Sequence, residues 1–375
     1  MAIIARQLRS RIDEDGTLTL FLESVPIPDP GDDEVLVRIE ATPINPSDLG
    51  LLLGPADLAS LSAAKVSGGP ALCFHIPPAR LGAVRARLGR ALAVGNEGAG
   101  TVIAAGANAA PLLGKRVGMI GGAMYADYRR IGTADVIPLP DGASAADGAS
   151  MFINPLTALG FVETARSEGH KAIVHTAAAS NLGQMLQRIC LSEAIPLINI
   201  VRSEQQAEIL RAIGATHVLN SEDADFAERL TEAVDETGAT IAFDSVGGGA
   251  LASTILEAME SAARRSMPDY ERYGSDQFKQ LYIYGVLNAA PTRLNCLAYG
   301  WRWSVSGWLL WPFLRKVGRE VEDRLRRRVA AELTTTFASR YTRTIGLAEA
   351  IEPDVLRAYV RKATGQKFLI DPTRG

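Results

Sequence analysis

The segment Ala172 to Gln184, AIVHTAAASNLGQ, has the residue types needed to bind a phosphate group. An apolar run is followed by small residues and then by a predicted helix start containing Ser180, Asn181, Leu182 and Gly183. Small side chains let the backbone approach a pyrophosphate, and the N–H groups of a helix start can donate to it. Alanines and the Ser180–Asn181 pair replace the usual glycines, so the segment alone is a weak indication of a dinucleotide site.

A cation and a hydroxyl lie where a dinucleotide-binding fold meets the adenosine ribose. Arg202 and Ser203 follow a second apolar run, PLINIV, about 20 residues beyond the phosphate-binding turn. NAD enzymes place Asp or Glu there, whereas a guanidinium followed by a hydroxyl suits the 2′-phosphate of NADPH. The sequence therefore favours NADPH. The alternative is a surface ion pair between Arg202 and Glu204 or Glu208.

Two further strand ends are candidate contacts for the same cofactor. Val246 and Gly247 follow the apolar run ATIAFD, and Tyr284 and Gly285 end the run QLYIYG. Dinucleotides lie across the carboxyl ends of parallel strands, so we expect backbone contacts at both places. The alternative is that the glycines only allow the chain to turn.

The elements that must position these residues divide the chain into two predicted domains. From residue 144, apolar runs alternate with amphipathic helical patterns, which predicts a doubly wound parallel sheet. The first 143 residues instead contain short alternating runs broken by Pro and Gly, which is typical of a small β-barrel. Residues 338–375 contain a short helix and strand that we expect to complete the barrel. The predicted domains are therefore 1–143 with 338–375, and 144–337.

Two inserts depart from this pattern. Between residues 54 and 92, leucines and a valine recur at helical spacing and predict a helix over the barrel mouth; they are Leu81, Val84, Leu88 and Leu92. Every tryptophan of the chain lies between residues 301 and 311, namely Trp301, Trp303, Trp308 and Trp311. This cluster could line an aromatic substrate pocket, or it could belong to the core or to a subunit interface.

Composition excludes several classes of function. The 375 residues carry a formal net charge of −3 with mixed signs, which gives no positive field for nucleic acid. No run reaches the roughly 18 apolar residues of a membrane span, so we expect a cytoplasmic protein. The three cysteines, Cys73, Cys190 and Cys296, are too far apart for a disulfide framework or a zinc cluster. We expect each to be a buried small hydrophobe.

Several strings occur in an order that resembles the medium-chain dehydrogenase/reductase superfamily. They are PINPSDL (43–49), GNEGAGTVIAAG (95–106), NPLTALG (154–160), the phosphate turn, NIVRSEQQ (199–206) and LRAIGATHVLN (210–220). PINPSD, GNEGAG and NIVR are most similar to the zinc-free branch that holds quinone oxidoreductases and enoyl thioester reductases. Zinc-dependent relatives carry Gly-His-Glu where this chain has Gly-Asn-Glu, and no cysteine occurs near either ligand position.

The resemblance implies a fold and an assignment of residues. It implies a GroES-like β-barrel domain joined to a Rossmann-type sheet domain, and a homodimer. Asn45 is implied to lie near the nicotinamide and the substrate. Asn154 and Thr157 are implied to line the diphosphate and the nicotinamide ribose. Asn-Pro pairs also favour turns without any further role, which is the alternative for Asn45 and Asn154.

The expected reaction is hydride transfer from NADPH to a quinone or an α,β-unsaturated carbonyl, without zinc. Such a reaction needs positioning more than acid–base chemistry. Tyr125 is the candidate proton donor, with Tyr128, Asp48, His75 and solvent water as alternatives. Enoyl thioester reductases carry a tyrosine shortly after N-P-S-D, but here that stretch reads LGLLLGPADL. An enoyl thioester reductase, or a non-catalytic NADPH-binding protein that docks on a partner or membrane, are the alternative functions.

Overall fold

The computed structural model describes residues 3–361 and 365–374. The chain divides into a first unit, residues 1–153 and 328–375, and a second unit, residues 154–327. The boundaries expected from the sequence, at 143/144 and 337/338, lie about ten residues from those of the two units.

The strands and helices alternate regularly only in the second unit. In chain order the strands are β1 Ile3–Ile12, β2 Thr17–Ile27, β3 Glu34–Pro43, β4 Asp57–Val66, β5 Gly69–His75, β6 Leu92–Ala93, β7 Glu97–Ala105, β8 Arg116–Ile120, β9 Tyr128–Gly132, β10 Val136–Pro138, β11 Ile173–Thr176, β12 Leu197–Val201, β13 His217–Asn220, β14 Ile241–Asp244, β15 Gly247–Gly249, β16 Lys279–Ile283, β17 Asn288–Thr292, β18 Trp303–Gly307, β19 Arg343–Ile345 and β20 Phe368–Ile370. The helices are α1 Pro46–Leu52, α2 Pro78–Leu81, α3 Ala145–Gly148, α4 Ile153–Ser167, α5 Asn181–Ser192, α6 Glu204–Arg211, α7 Phe226–Thr237, α8 Leu251–Arg265, α9 Leu310–Ala331 and α10 Pro353–Val360. None of the described helices combines the length and apolarity that a bilayer crossing requires.

The first unit is built from two mainly antiparallel sheets. One has the order β4-β5-β2-β1-β6, and the other has the order β10-β8-β7-β3-β20-β19, with β9 also pairing with β3. Val35, Val37 and Ile39 alternate along β3 and pack into one core, as the period of a strand requires. The C-terminal strand β20 pairs with β3. The tail of the chain therefore completes this unit, as its sequence predicts.

The insert between residues 54 and 92 forms a β-hairpin, so the expected long helix is wrong. β4 and β5 pair antiparallel and extend the sheet beyond β2. Ser67 and Gly68 at the tip both have positive φ, 50° and 82°, as the two-residue turn of a hairpin favours. Only short helical turns follow the hairpin, and through them Leu81, Val84 and Leu88 pack against the core. The helical spacing of these residues therefore marks one side of the segment that contacts the core, although the segment is not a continuous helix.

The second unit contains a parallel sheet with the order β13-β12-β11-β14-β16-β18. This is the 3-2-1-4-5-6 order of a doubly wound dinucleotide-binding fold, and it confirms the predicted sheet. The apolar runs became strands because both faces of a parallel sheet are covered by helices. Its central strands β11 and β14 are buried along their whole length.

The sixth strand, β18, lies inside the tryptophan-rich segment, where no strand was expected. Trp308, just after β18, is buried and donates its Nε1–H to Thr164 Oγ1 at 3.1 Å. A Cβ at Gly160 would lie 2.7 Å from the Trp308 ring, so this helix position must be glycine. Trp301 and Trp311, by contrast, are exposed. The cluster therefore combines a core residue with surface residues.

The three cysteines differ in burial. Cys190 is buried, and burial raises the pKa of its thiol to about 12. Cys73 is half-buried, and Cys296 is exposed. The expectation that every cysteine is buried is therefore wrong for Cys296.

Candidate active site

The turn between β11 and α5 has the close backbone approach that its small residues suggest. Ala177 adopts a positive φ of 50°, and Ser180 begins α5 by accepting a hydrogen bond from the Gly183 N–H at 3.1 Å. A Cβ on Gly183 would lie 2.1 Å from the carbonyl oxygen of Ala178. Glycine is therefore required at this position so that the helix can start directly against the turn. Asn181 and Leu182 open the helix.

The loop after β14 is held by hydrogen bonds to Asp244, the last residue of that strand. Asp244 accepts hydrogen bonds from the Val246 N–H at 2.8 Å, the Gly247 N–H at 3.1 Å and the Thr176 hydroxyl at 2.7 Å. The two backbone donors that were expected to contact a cofactor are therefore already used. Val246 and Gly247 can offer a ligand an apolar surface at this loop.

Arg202 lies at the end of β12 with an exposed side chain. Its backbone N–H donates to Gln206 Oε1 at 3.0 Å, and Ser203 caps α6 by accepting from the Gln206 N–H. Glu204, the carboxylate proposed as a surface partner, pairs with Arg211 instead. Within residues 3–361 and 365–374, no ion pair involves Arg202. Its guanidinium is therefore available to an anionic ligand.

Tyr284 and Gly285, after β16, pack on the end of β14. The Tyr284 hydroxyl lies 2.8 Å from His175 Nε2, and its ring lies edge-on to Phe161 at a centroid distance of 4.8 Å. Burial lowers the pKa of His175 to about 3, so this imidazole is neutral. A Cβ on Gly285 would lie 3.0 Å from the Ser245 carbonyl oxygen. The glycine thus allows two strand ends to approach each other.

Asn154 and Thr157 lie in the first turns of α4. Asn154 is half-buried and Thr157 is buried. Neither side chain hydrogen-bonds to another residue of the described chain. All the second-unit candidates except these two follow strands of one parallel sheet, so they share its carboxyl edge.

In the first unit, Asn45 precedes α1 and is only 2% exposed. Its backbone N–H donates to Asp48 Oδ2 at 2.8 Å, and its side-chain Nδ2 donates to Glu97 Oε1 at 2.7 Å. The side-chain oxygen, Oδ1, is buried and faces the Asp48 N–H in the capping box at the start of α1, without a close hydrogen bond among the residues described. Asn45 therefore links the start of α1 to Glu97 at the beginning of β7.

Glu97 is a residue of this site that was not singled out from the sequence. It opens β7, is 1% exposed, and accepts hydrogen bonds from the Phe152 and Ile153 N–H groups, each at 2.9 Å. Burial raises the pKa of its carboxyl, and the charge of Lys367 opposes that shift. A glutamate at the start of an otherwise apolar strand, EGAGTVIAA, was the signal that could have identified it.

Asp48 is also buried and accepts hydrogen bonds from the Asn45 and Asn96 N–H groups, at 2.8 and 2.9 Å. Burial and, to a lesser extent, the nearby charge of Glu97 raise the pKa of Asp48 to about 7, against the effect of these hydrogen bonds. Two carboxyl groups therefore lie next to the Asn45 backbone and side chain.

Lys367 lies near these carboxylates and is half-buried. Its Nζ donates to Ser150 Oγ at 2.7 Å, and Ser150 Oγ lies 2.8 Å from the Tyr341 hydroxyl. Burial lowers the pKa of Lys367 to about 8, against the attraction of Glu97 and Asp48. The lysine partly balances the charge of the two acids.

Tyr125 is buried, and its hydroxyl donates to the Pro43 carbonyl oxygen at 3.1 Å. A Cβ on Gly95 would lie 2.5 Å from the tyrosine ring, so the ring is tightly packed. This placement favours a packing role for Tyr125 over proton donation, which stays a prediction. Of the alternatives, His75 is exposed at the end of β5 and Tyr128 is half-buried in β9.

The described residues form no group of three His, Cys, Asp or Glu side chains suited to a metal ion. At the two positions where zinc-dependent relatives carry a cysteine and a histidine, this chain has the region of Asn45 and the amide Asn96, and the carboxylate of Glu97 follows the second position. Zinc sites in proteins are built mainly from thiolates and imidazoles. The donor set therefore does not fit a zinc centre.

Comparison with known proteins reveals partial similarity to several reductases. The family described as zinc-binding dehydrogenase matches residues 182–267. Prostaglandin reductase-3 of Mus musculus is 28% identical over 64% of this chain and 56% of its own length. The mitochondrial enoyl-[acyl-carrier-protein] reductase of Xenopus tropicalis is 28% identical over 54% of this chain and 52% of its own length. The matched region thus spans about half the length of these curated relatives.

A solved structure matches over nearly the whole chain. It is a protein from Mesorhizobium loti assigned as an NADPH:quinone reductase, with 27% identity and a TM-score of 0.73. The match covers 99% of this chain and 100% of the other. Both units, including the hairpin and β18, therefore fall within the matched length.

Proposed function

Because the chain belongs to the medium-chain dehydrogenase/reductase superfamily, we propose that it is an NADPH-dependent oxidoreductase acting on a quinone or an α,β-unsaturated carbonyl. The observation that carries the cofactor assignment is the exposed Arg202 guanidinium, which has no ion pair in the described chain. It lies where a doubly wound fold meets the adenosine ribose. Similarity to a protein assigned as an NADPH:quinone reductase supports the substrate class.

The residues of the second unit fit a 2′-phosphorylated dinucleotide. The start of α5 at Ser180 to Gly183 would hold the pyrophosphate, because the positive end of the helix dipole favours an anion. Arg202 would bind the 2′-phosphate through charge-assisted hydrogen bonds, with the Ser203 hydroxyl beside it. Asn154, Thr157, Val246, Gly247, Tyr284 and Gly285 would position the rest of the cofactor.

NADPH supplies the hydride when bound, so the protein needs to orient it and keep water away. In the first unit, Asn45 would orient the nicotinamide or the substrate. The site offers no exposed acid whose geometry identifies it as the proton donor. Replacing Tyr125 with Phe and Asp48 with Asn tests proton delivery from each side chain against delivery from water.

The test of this proposal is NADPH turnover by the purified chain. We expect oxidation of NADPH, followed at 340 nm, with members of a panel of quinones and enones, and slower oxidation of NADH. Cofactor binding without turnover of any panel member would contradict the proposed activity. Absence of binding by either reduced dinucleotide would contradict the cofactor assignment as well.

The second candidate function is an enoyl thioester reductase. Its support is the 28% identity to the mitochondrial enoyl-[acyl-carrier-protein] reductase over about half of both chains. Against it, residues 49–58 contain no tyrosine where such reductases carry one. Turnover of acyl thioesters without turnover of quinones would favour this candidate.

We also propose that a second copy of the chain is a partner, bound at one face of the second unit. β18 ends the parallel sheet and pairs with no further strand of the described chain, and such an edge can pair with another strand. Exposed apolar side chains precede and follow β18 in the chain, namely Leu297, Trp301, Leu309 and Trp311. Exposed aromatic and aliphatic side chains beside an unpaired strand edge support an interface at this place.

A further inference from the structure

Two loops that follow neighbouring strands of the second unit are joined by one buried hydroxyl. Thr176 ends β11 directly before the phosphate-binding turn, and Asp244 ends β14, which pairs with β11. The Thr176 hydroxyl donates to Asp244 Oδ1 at 2.7 Å and accepts a hydrogen bond from the Ser245 N–H at 2.9 Å. Among the side chains of similar size, only a hydroxyl can donate and accept in this way. Thr176 therefore holds the two strand ends together where the backbone pairing of the strands stops.

The loop at residues 245–247 is also held from a second side. The Gly247 N–H donates to Asp244 Oδ2 at 3.1 Å, and the Gly247 carbonyl oxygen accepts from the Thr292 hydroxyl at 2.8 Å. Gly247 has a positive φ of 76°, a conformation that favours glycine. Both backbone groups of Gly247 are thus bound by side chains, so the loop needs no ligand to satisfy them.

These hydrogen bonds fix two places where the cofactor is expected to lie. The turn into α5 would hold the pyrophosphate, and Val246 and Gly247 would contact another part of the dinucleotide. A ligand that touches two loops binds more weakly when the loops must first be ordered, because ordering costs conformational entropy. A link that exists before binding removes this cost.

We propose that Thr176 is a positioning residue that holds the phosphate-binding turn and the loop 245–247 in a fixed relation for NADPH. Its side chain is buried, so it acts through Asp244 and the Ser245 N–H and does not touch the cofactor. This inference rests on the proposed function and deepens it, because it names the residue that joins two parts of the cofactor site within one unit.

The Thr176→Val variant tests the link with almost no change of side-chain shape. Valine keeps the branched side chain at the end of β11 but can neither donate to Asp244 nor accept from Ser245. We expect the Kd of NADPH to rise about tenfold, the effect of one lost hydrogen bond. Thr176→Ser keeps the hydroxyl and is expected to bind NADPH within about threefold of wild type. Calorimetric titration of each purified protein measures these constants, and an unchanged Kd in folded Thr176→Val overturns the inference.

A fragment of the cofactor separates positioning from a general loosening of the unit. Adenosine 2′,5′-bisphosphate carries the 2′-phosphate proposed to bind Arg202 but lacks the nicotinamide half of NADPH, so it is not expected to reach both loops. Its Kd is therefore expected to change less than about threefold in Thr176→Val. Equal weakening of the fragment and of NADPH would mean that the variant only disturbs the phosphate-binding turn, and this result overturns the inference.

The matched control is Thr164→Val in α4 of the same unit. Thr164 is also buried, and its Oγ1 accepts a hydrogen bond from Trp308 Nε1 at 3.1 Å. The control variant removes the same atoms and one buried hydrogen bond, but that bond joins neither of the two loops. We expect its melting temperature to fall while the Kd of NADPH stays within about threefold of wild type. A control that weakens NADPH binding as much as Thr176→Val does would overturn the inference.

If Thr176→Val does not fold, amide hydrogen exchange of the wild-type apo-protein takes its place. The N–H groups of Ser245, Val246 and Gly247 are bound by side chains, so we expect them to exchange at least about tenfold more slowly than free amides before any NADPH is added. Slow exchange that appears only after NADPH binds overturns the inference. A wild-type protein that binds neither reduced dinucleotide overturns the cofactor assignment together with this inference. Normal NADPH binding by both wild type and Thr176→Val overturns this inference alone.

Discussion

At the residue scale, Arg202 leads to a prediction about cofactor choice. Replacing it with alanine removes the charge proposed to bind the 2′-phosphate. We expect the Kd of NADPH to rise about 10- to 100-fold, as for the loss of charge-assisted hydrogen bonds, while the Kd of NADH stays within about threefold. Calorimetric titration with both reduced dinucleotides measures the difference.

The matched control is Arg211→Ala, which removes another exposed arginine of the same helical region. Arg211 is bound to Glu204, so its loss is expected to leave both dissociation constants unchanged. Equal weakening by both variants would point to general surface charge and contradict a specific role for Arg202.

The neutral His175 predicts a dependence of stability on pH. Its pKa is about 3 in the folded protein and 6.5 as the reference for the unfolded chain. Between these values the unfolded chain binds the proton and the folded chain does not, so stability present above pH 6.5 is lost as the pH falls. Lowering the pH from 6.5 to 5 should reduce the free energy of unfolding by about 2 kcal/mol through protonation of this group. Urea denaturation at these two pH values measures the loss. We expect the loss in His175→Gln to be smaller than the loss in wild type by that amount.

The reference variant is Tyr284→Phe, which removes the hydroxyl beside the imidazole but leaves the imidazole buried. Since burial is the cause of the lowered pKa, this variant should keep the wild-type pH dependence. Identical pH dependence in wild type and His175→Gln would show that this histidine does not control acid stability.

The place of Arg202 at the end of β12 was predictable from the sequence, and its role in cofactor binding stays a prediction. Arg202 follows an apolar strand at a fixed distance from the phosphate turn, and both features are visible in the sequence. The contacts of Glu97 with Asn45 and Phe152 were not predictable, because these residues are far apart in the sequence and meet only in the folded unit. Likewise, only the structure shows that Asp244 uses the N–H groups of Val246 and Gly247.

At the element scale, the turn into α5 predicts the effect of one added methyl group. In Gly183→Ala the new Cβ would meet the Ala178 carbonyl oxygen at 2.1 Å, so the turn and helix must separate. We expect the Kd of NADPH to rise at least about tenfold and the melting temperature to fall by several degrees, as backbone overpacking does. Calorimetry and thermal unfolding of the same preparation measure both changes.

Gly132→Ala is the control variant, because it also adds one methyl group and changes the intrinsic backbone preference of a glycine position. Gly132 ends β9, has no atom within 4 Å of a built Cβ, and does not have a positive φ. Its replacement should change neither property. A Gly183→Ala protein that binds NADPH normally would contradict the close-approach role of this turn.

Elements with a strong hydrophobic period were predictable, and elements specified by turns were not. The five apolar runs became the strands β11, β12, β13, β14 and β16, because buried parallel strands are continuously apolar. The hairpin of β4 and β5 depends on the Ser67–Gly68 turn. In the sequence this turn is a weaker signal than the helical spacing of the leucines further along. In β18, closely spaced aromatic residues concealed the strand alternation.

At the scale of the whole molecule, the exposed edge of the second unit predicts self-association. Introducing charges with Trp301→Glu and Leu309→Glu should disrupt the interface, because both side chains are more than 60% exposed and tolerate replacement in the monomer. Light scattering coupled to gel filtration should give twice the 40.0 kDa chain mass for wild type and the single mass for the double variant.

The control for this experiment is Leu58→Glu, which changes an exposed leucine on β4 in the first unit. It should leave the measured mass at that of a dimer. A wild-type chain that runs as a monomer at micromolar concentration, or a dimer unaffected by both charges, would contradict the proposed interface.

The unequal burial of the thiols provides a practical probe of the molecule. Cys296 is exposed and immediately precedes Leu297 at the proposed interface, whereas Cys190 is buried with a pKa of about 12. Thiolates rather than thiols react with maleimides, so a fluorescent maleimide should label position 296 well before position 190. Slower labelling at higher protein concentration would then report, on the native sequence, that another chain covers this surface.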